Sequence, residues 1–81
     1  MLEMIHPFMN MNKNQLVQLA TLPMPYGRYQ GTLLIDLPEP YVVWYYSNGL
    51  PQGNLGELLG LLYEIKVNGL EHLVHPLKGN A

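Results

Sequence analysis

Met24-Pro25-Tyr26-Gly27-Arg28-Tyr29-Gln30-Gly31-Thr32-Leu33-Leu34-Ile35-Asp36-Leu37 is the stretch on which the fold reading turns, because it sets two short β-type runs on either side of Gln30-Gly31. Glycine supplies the positive φ of a tight turn, so the run predicts a β-hairpin. With Gln30-Gly31 as a two-residue loop, Tyr29 faces Thr32. Met24/Leu37, Tyr26/Ile35 and Arg28/Leu33 then become cross-strand pairs on one face, which should be the buried one. Gly27 in mid-strand suggests a bulge or a close backbone approach and leaves the register open by one residue.

Outward from this stretch the periodicity is helical. From Asn12 to Leu22 the apolar residues Leu16, Val17, Leu19 and Ala20 recur at helical spacing behind asparagines that can cap, and Pro23 ends the run. After Leu37, the segment Pro38-Glu39-Pro40 stops extended structure and opens a helix from about Glu39 to Asn48, with Gly49 as its natural terminator. That helix is apolar nearly all round and should be central. Asn54-Leu55-Gly56-Glu57 reads as a capping box for the longest helix, whose apolar stripe is Leu55, Leu58, Leu59, Leu62 and Ile65. Leu70 to His75 predicts a last short helix before Pro76. The expected fold class is therefore α+β: a short N-terminal helix, one β-hairpin, then two to three helices packed on it. Residues 12–78 form the single domain, and residues 1–11, with four methionines and no period, form an arm that lies on the body or on a neighbour.

Composition narrows the function classes. An 81-residue chain has material for one core only. Charged residues are 12% of the chain against about 25% in typical domains, too few to coat an ordinary monomer, which points to a self-associated or partner-covered state. The absence of cysteine removes disulfides and thiolate chemistry and suits a reducing compartment, so the cytoplasm is the expected location. No segment has the pattern of a signal peptide or approaches the roughly 20 apolar residues of a membrane span. A net charge of −2 offers no basic field for a polyanion.

Few residues carry chemistry. His72 and His75 lie one helical turn apart, yet no cysteine or aspartate accompanies them, and His6 is distant in sequence, so no metal site is expected. Asp36 and Glu39 read as residues that terminate and cap elements. No catalytic residue, metal or cofactor is expected, and the chain reads as a non-enzyme. Lys66 falls inside the apolar stripe of the longest helix; either its stem snorkels, or it makes a structural ion pair with Asp36 or Glu39 that ties this helix to the hairpin end. Tyr26, Arg28, Tyr29, Tyr41 and Trp44 set one cation among aromatic rings, the composition of a base-stacking platform and also simply of a packed core; with Arg28 the one basic residue among them, aromatic packing is the favoured reading, and the five are the candidate interaction surface.

The strings Met24-Pro25-Tyr26-Gly27-Arg28-Tyr29-Gln30-Gly31, Asp36-Leu37-Pro38-Glu39-Pro40-Tyr41, Leu55-Gly56-Glu57-Leu58-Leu59 and Leu62-Tyr63-Glu64-Ile65-Lys66-Val67-Asn68-Gly69-Leu70 resemble the small bacterial family of putative quorum-sensing-regulated virulence factors, over about Leu16 to Leu77. The first string is also similar to the C-terminal extension of exonuclease X-like exonucleases, which hints at nucleic-acid handling. The family pattern more often has Phe at position 26 and Lys at 28 and 30; Tyr26, Arg28 and Gln30 here leave one hairpin cation fewer for phosphate. The family resemblance implies no established activity. The reading is thus a non-enzymatic interaction or regulatory module, partnered by itself as a homo-oligomer or by another protein and not by a membrane. The alternative is a nucleic-acid-binding accessory domain using Arg28 and the nearby aromatics.

Overall fold

The computed structural model describes residues 12–79, and the expected arm over residues 1–11 lies outside them. Three α-helices carry the fold: α1, Lys13–Thr21; α2, Glu39–Asn48; and α3, Gly53–Val67. Single 3-10 turns cover Leu34–Asp36, Glu71–Leu73 and His75–Leu77. The local reasons for the helices are those visible in the chain. The Asn12 side chain accepts from the Gln15 N–H at 2.8 Å and caps α1. Pro38 and Pro40 open α2, and Gly49 closes it at φ +106°, a conformation that needs no Cβ.

The α+β expectation is corrected: among the described residues there is no strand and no β-hairpin, only an isolated antiparallel bridge between Pro23 and Leu33. The turn at Tyr29-Gln30-Gly31-Thr32 does form, with the Thr32 N–H donating to the Tyr29 carbonyl at 3.0 Å. Its hand is wrong for a hairpin. Gly31 has φ +91° while Gln30 does not have positive φ, the signature of a type II turn, which splays the flanking chains where a primed turn would align them. A second turn, from the Gln30 N–H to the Gly27 carbonyl at 3.1 Å, coils the chain again around Gly27 at φ +84°. Pro25 removes a ladder donor from what would have been the first strand, and Pro23 removes one just before it. The segment 24–32 is a closed loop, pinned at its base by Met24 N–H to the Thr32 carbonyl at 2.7 Å and Gly31 N–H to the Met24 carbonyl at 2.9 Å.

The expected buried pairing survives only in part. Met24, Ile35 and Leu37 are buried, but Tyr26 and Arg28 are exposed. Leu34 and Ile35, adjacent in sequence, both enter the core because a 3-10 turn lacks the two-residue alternation of a strand. One core joins Leu19 and Ala20 of α1, Met24, Leu34, Ile35, Leu37, Val42 of α2, Leu58, Leu59, Leu62 and Ile65 of α3, and Val74. α3 touches α1, α2 and the 34–36 turn, so the central helix is α3; α2 buries only Val42 and leaves Trp44 and Tyr46 exposed. Its all-round apolarity is aromatic surface turned outward and sideways.

Two smaller expectations also change. Asn54 does not cap α3, whose first residue is Gly53 and whose cap position is Gln52; the Asn54 side-chain amide donates to Gln18 Oε1 on α1 at 3.1 Å. The helix expected over Leu70 to His75 is a pair of 3-10 turns, with Pro76 inside the second. No helix among the described residues is long and apolar enough to cross a membrane.

Candidate functional site

Between the 24–32 loop and α2 runs a surface groove of about 500 Å³, lined by Arg28, Tyr29, Pro38, Pro40, Tyr41 and Trp44. Four of the five residues singled out from the sequence as an interaction surface meet here, and the fifth, Tyr26, braces the same loop. The two sides are locked by aromatic contacts. Tyr29 on the loop meets Tyr41 on α2 edge-on, with ring centroids 4.7 Å apart, and Tyr41 meets Tyr45 the same way at 5.8 Å. The hydroxyls of Tyr26 and Tyr45 share a hydrogen bond of 3.3 Å across the same junction. Gly27 belongs to this arrangement: a Cβ there would stand 3.7 Å from the Tyr41 hydroxyl, on backbone whose φ already disfavours a side chain.

The groove is apolar in its walls and rich in donors. Pro38 and Pro40, on the approach to α2 and in its first turn, line it with apolar rings, and Trp44, one turn further on, is 58% exposed. Arg28 stands 5.5 Å over the Tyr29 ring, a cation–π contact that keeps the guanidinium at the rim. Among the described residues, no hydrogen bond takes up the hydroxyls of Tyr29 and Tyr41, the Trp44 indole N–H or the Arg28 guanidinium. Burial, with the neighbouring Tyr26 and Tyr29, raises the Tyr41 phenol, and the hydrogen bond to Tyr26 together with burial pushes Tyr45 up to about 12.

Lys66 does tie the long helix to the 34–36 turn, through different partners from the ones expected. Its Nζ donates to the Ile35 carbonyl at 3.0 Å and lies 3.9 Å from Glu71 Oε2, with the side chain only 8% exposed. Asp36 pairs instead with Lys78 at 2.9 Å, so the pair expected between Lys66 and Asp36 is replaced by these two. The sequence places Lys66 at the right spot, but one residue separates the carbonyl it finds from the carboxylate that spacing suggested. Lys66→Met keeps the apolar stem and strands the Ile35 carbonyl, and is expected to cost about 2 kcal/mol in urea unfolding with an unchanged m-value. Glu71→Gln, which removes only a long ion pair, should cost under about 0.5 kcal/mol; equal losses in the two variants would assign the stabilisation to charge.

His72 and His75 are both exposed, and among the described residues no three His, Cys, Asp or Glu side chains gather as a metal set. The groove residues were visible as a composition in the sequence. The walls given by Pro38 and Pro40 were missed, because they read there only as helix-start signals; they come to line one groove with Tyr29 only once the loop folds back.

A small helical domain with an aromatic, donor-rich surface groove is the class that fold and site define. The chain belongs to the family described as "Putative quorum-sensing-regulated virulence factor", whose model matches residues 12–77. It is 48% identical over 69 residues to "Uncharacterized protein YpeB" of Escherichia coli (strain K12), covering 84% of this chain and 96% of that protein, and equally to "Uncharacterized protein YpeB" of Escherichia coli O157:H7. No solved structure matches. The family resemblance read from the sequence is thereby borne out, while the likeness to exonuclease X-like exonucleases is not shown.

Proposed function

We propose that this chain is a non-enzymatic protein-interaction module whose docking face is the groove between the 24–32 loop and α2. The observation that carries the reading is Trp44, a large side chain left 58% exposed beside unpaired donors on a protein with few charges. Exposed aromatics of this kind, next to an arginine, are the residue types that dominate protein interfaces. With Arg28 the only charged residue lining the groove and a net charge of −2, attraction for a phosphate backbone is weak, which puts nucleic-acid binding second.

Trp44→Ala tests the reading, since an exposed position tolerates the change without refolding the helix. In nuclease-treated bacterial lysate, the wild-type protein is expected to retain a partner at least about tenfold better than the variant, with equal helicity by circular dichroism. Retention that ignores Trp44, or that vanishes with nuclease, would overturn it, and the latter would promote the nucleic-acid alternative.

A further inference from the structure

Resting on that reading, we infer that the groove receives a proline-rich segment in the left-handed polyproline II conformation, with an acidic residue at the end that meets Arg28. The argument is one of chemical complementarity. Trp44 and Arg28 offer donors only, and the Tyr29 and Tyr41 hydroxyls can donate as well as accept, so donors outnumber acceptors among the lining side chains and the groove favours an occupant rich in acceptors. A polyproline II segment displays backbone carbonyls with no internal hydrogen bonds, and proline brings no N–H that burial against ring faces would strand.

Other backbone forms fit less well. A helix has spent all but its terminal carbonyls on itself. An added strand needs a sheet edge, and among the described residues there is only the Pro23–Leu33 bridge. A volume of about 500 Å³ lies in the range of small-ligand sites, so it takes a short run of residues and not a folded surface. Tyr29, Tyr41, Trp44, Pro38 and Pro40 line the groove with apolar rings against which pyrrolidine rings can pack, the kind of aromatic-lined groove that proline-rich ligands use in general. Arg28 is the only charged lining residue and is held at the rim by Tyr29, which sets the sign of the charge wanted at one end of the ligand.

Trp44 is the sole tryptophan of the chain, so its emission reports on the groove directly. The full chain is titrated with decaproline, with decaproline carrying one terminal aspartate, with a decamer of alternating glycine and serine, and with deca-thymidylate. Both proline peptides are expected to shift the Trp44 emission saturably, the glycine–serine peptide to leave it unchanged, and the aspartate to tighten binding about two- to fivefold, an advantage that Arg28→Ala removes. Tyr41→Phe keeps the ring packing, loses one donor, and is expected to weaken both proline peptides by about two- to tenfold.

No saturable shift with either proline peptide overturns the inference, as does binding of deca-thymidylate in their place. A Trp44 emission that changes on dilution without peptide, alongside a dimer mass by light scattering, also overturns it by assigning the groove to a second copy. If the peptides fail while Trp44-dependent retention of a protein persists, only the proline assignment falls; if both fail, the interaction reading falls with it.

Discussion

Gly56→Ala is expected to lower the thermal midpoint by about 12–24 °C, the equivalent of about 3 kcal/mol in a domain of this size. A Cβ built on Gly56 would lie 1.7 Å from the Pro51 carbonyl oxygen and 2.9 Å from its carbon. Both obstacles are backbone, so no rotamer change relieves them. Either α3 moves away from the 49–52 connection or the connection moves away from α3. Helix propensity pushes the other way, since alanine in place of glycine on an exposed helix gains about 1 kcal/mol, and the sign of the change is therefore decisive. Gly60 provides the contrast on the same helix: its nearest obstacle is the Leu50 Cδ1 at 3.4 Å, the movable end of a side chain, and Gly60→Ala should fall within about 1 kcal/mol of neutral. Thermal unfolding followed by circular dichroism separates the two, and a Gly56→Ala protein as stable as wild type would refute the close approach. The result bears on the groove, because the connection at Pro51 sets where α2 sits on α3.

Leu62→Ala is expected to cost about 3 kcal/mol in urea. Leu62 is fully buried on α3, the helix that touches α1, α2 and the 34–36 turn, so the void is walled on several sides and collapses poorly. An 81-residue domain holds only about 4–12 kcal/mol in all, so this one truncation removes a large share. Leu61, its half-buried neighbour, should cost less than half as much when cut to alanine. Similar losses at the two positions would mean that α3 is not the hub. Below its unfolding transition the Leu62→Ala protein should keep wild-type Trp44 emission, since the groove is built from the loop and α2.

The helices were legible because their signals are local. Asn12 ahead of an apolar period, Pro38 and Pro40 at the start of α2, Gly49 at its end and the leucine stripe of α3 each act within a turn or two of the backbone. The 24–37 stretch misled for a reason of the same scale. β-prone residues around a glycine specify a turn without specifying its hand, and the hand decides between a hairpin and a coiled loop. The candidate surface was legible as a residue set, and Lys66 as an anomaly, but the partners of neither were.

By itself, then, the sequence determined where α1 and α2 start and stop, that a long leucine-striped helix follows them, that one cysteine-free core must serve the chain, and which aromatic residues stand near one arginine. Only the tertiary structure decided that α3 rather than α2 is central, that Lys66 meets the Ile35 carbonyl while Lys78 takes Asp36, and that Tyr29 folds back onto Tyr41 to close a groove against two prolines. The physical reason is range: capping, φ preference and apolar period act over a few residues. The choice among partners at 31 or 42 residues' separation, as for Lys66 and Lys78, depends on how the helices pack and on which carbonyl or carboxylate that packing leaves within reach.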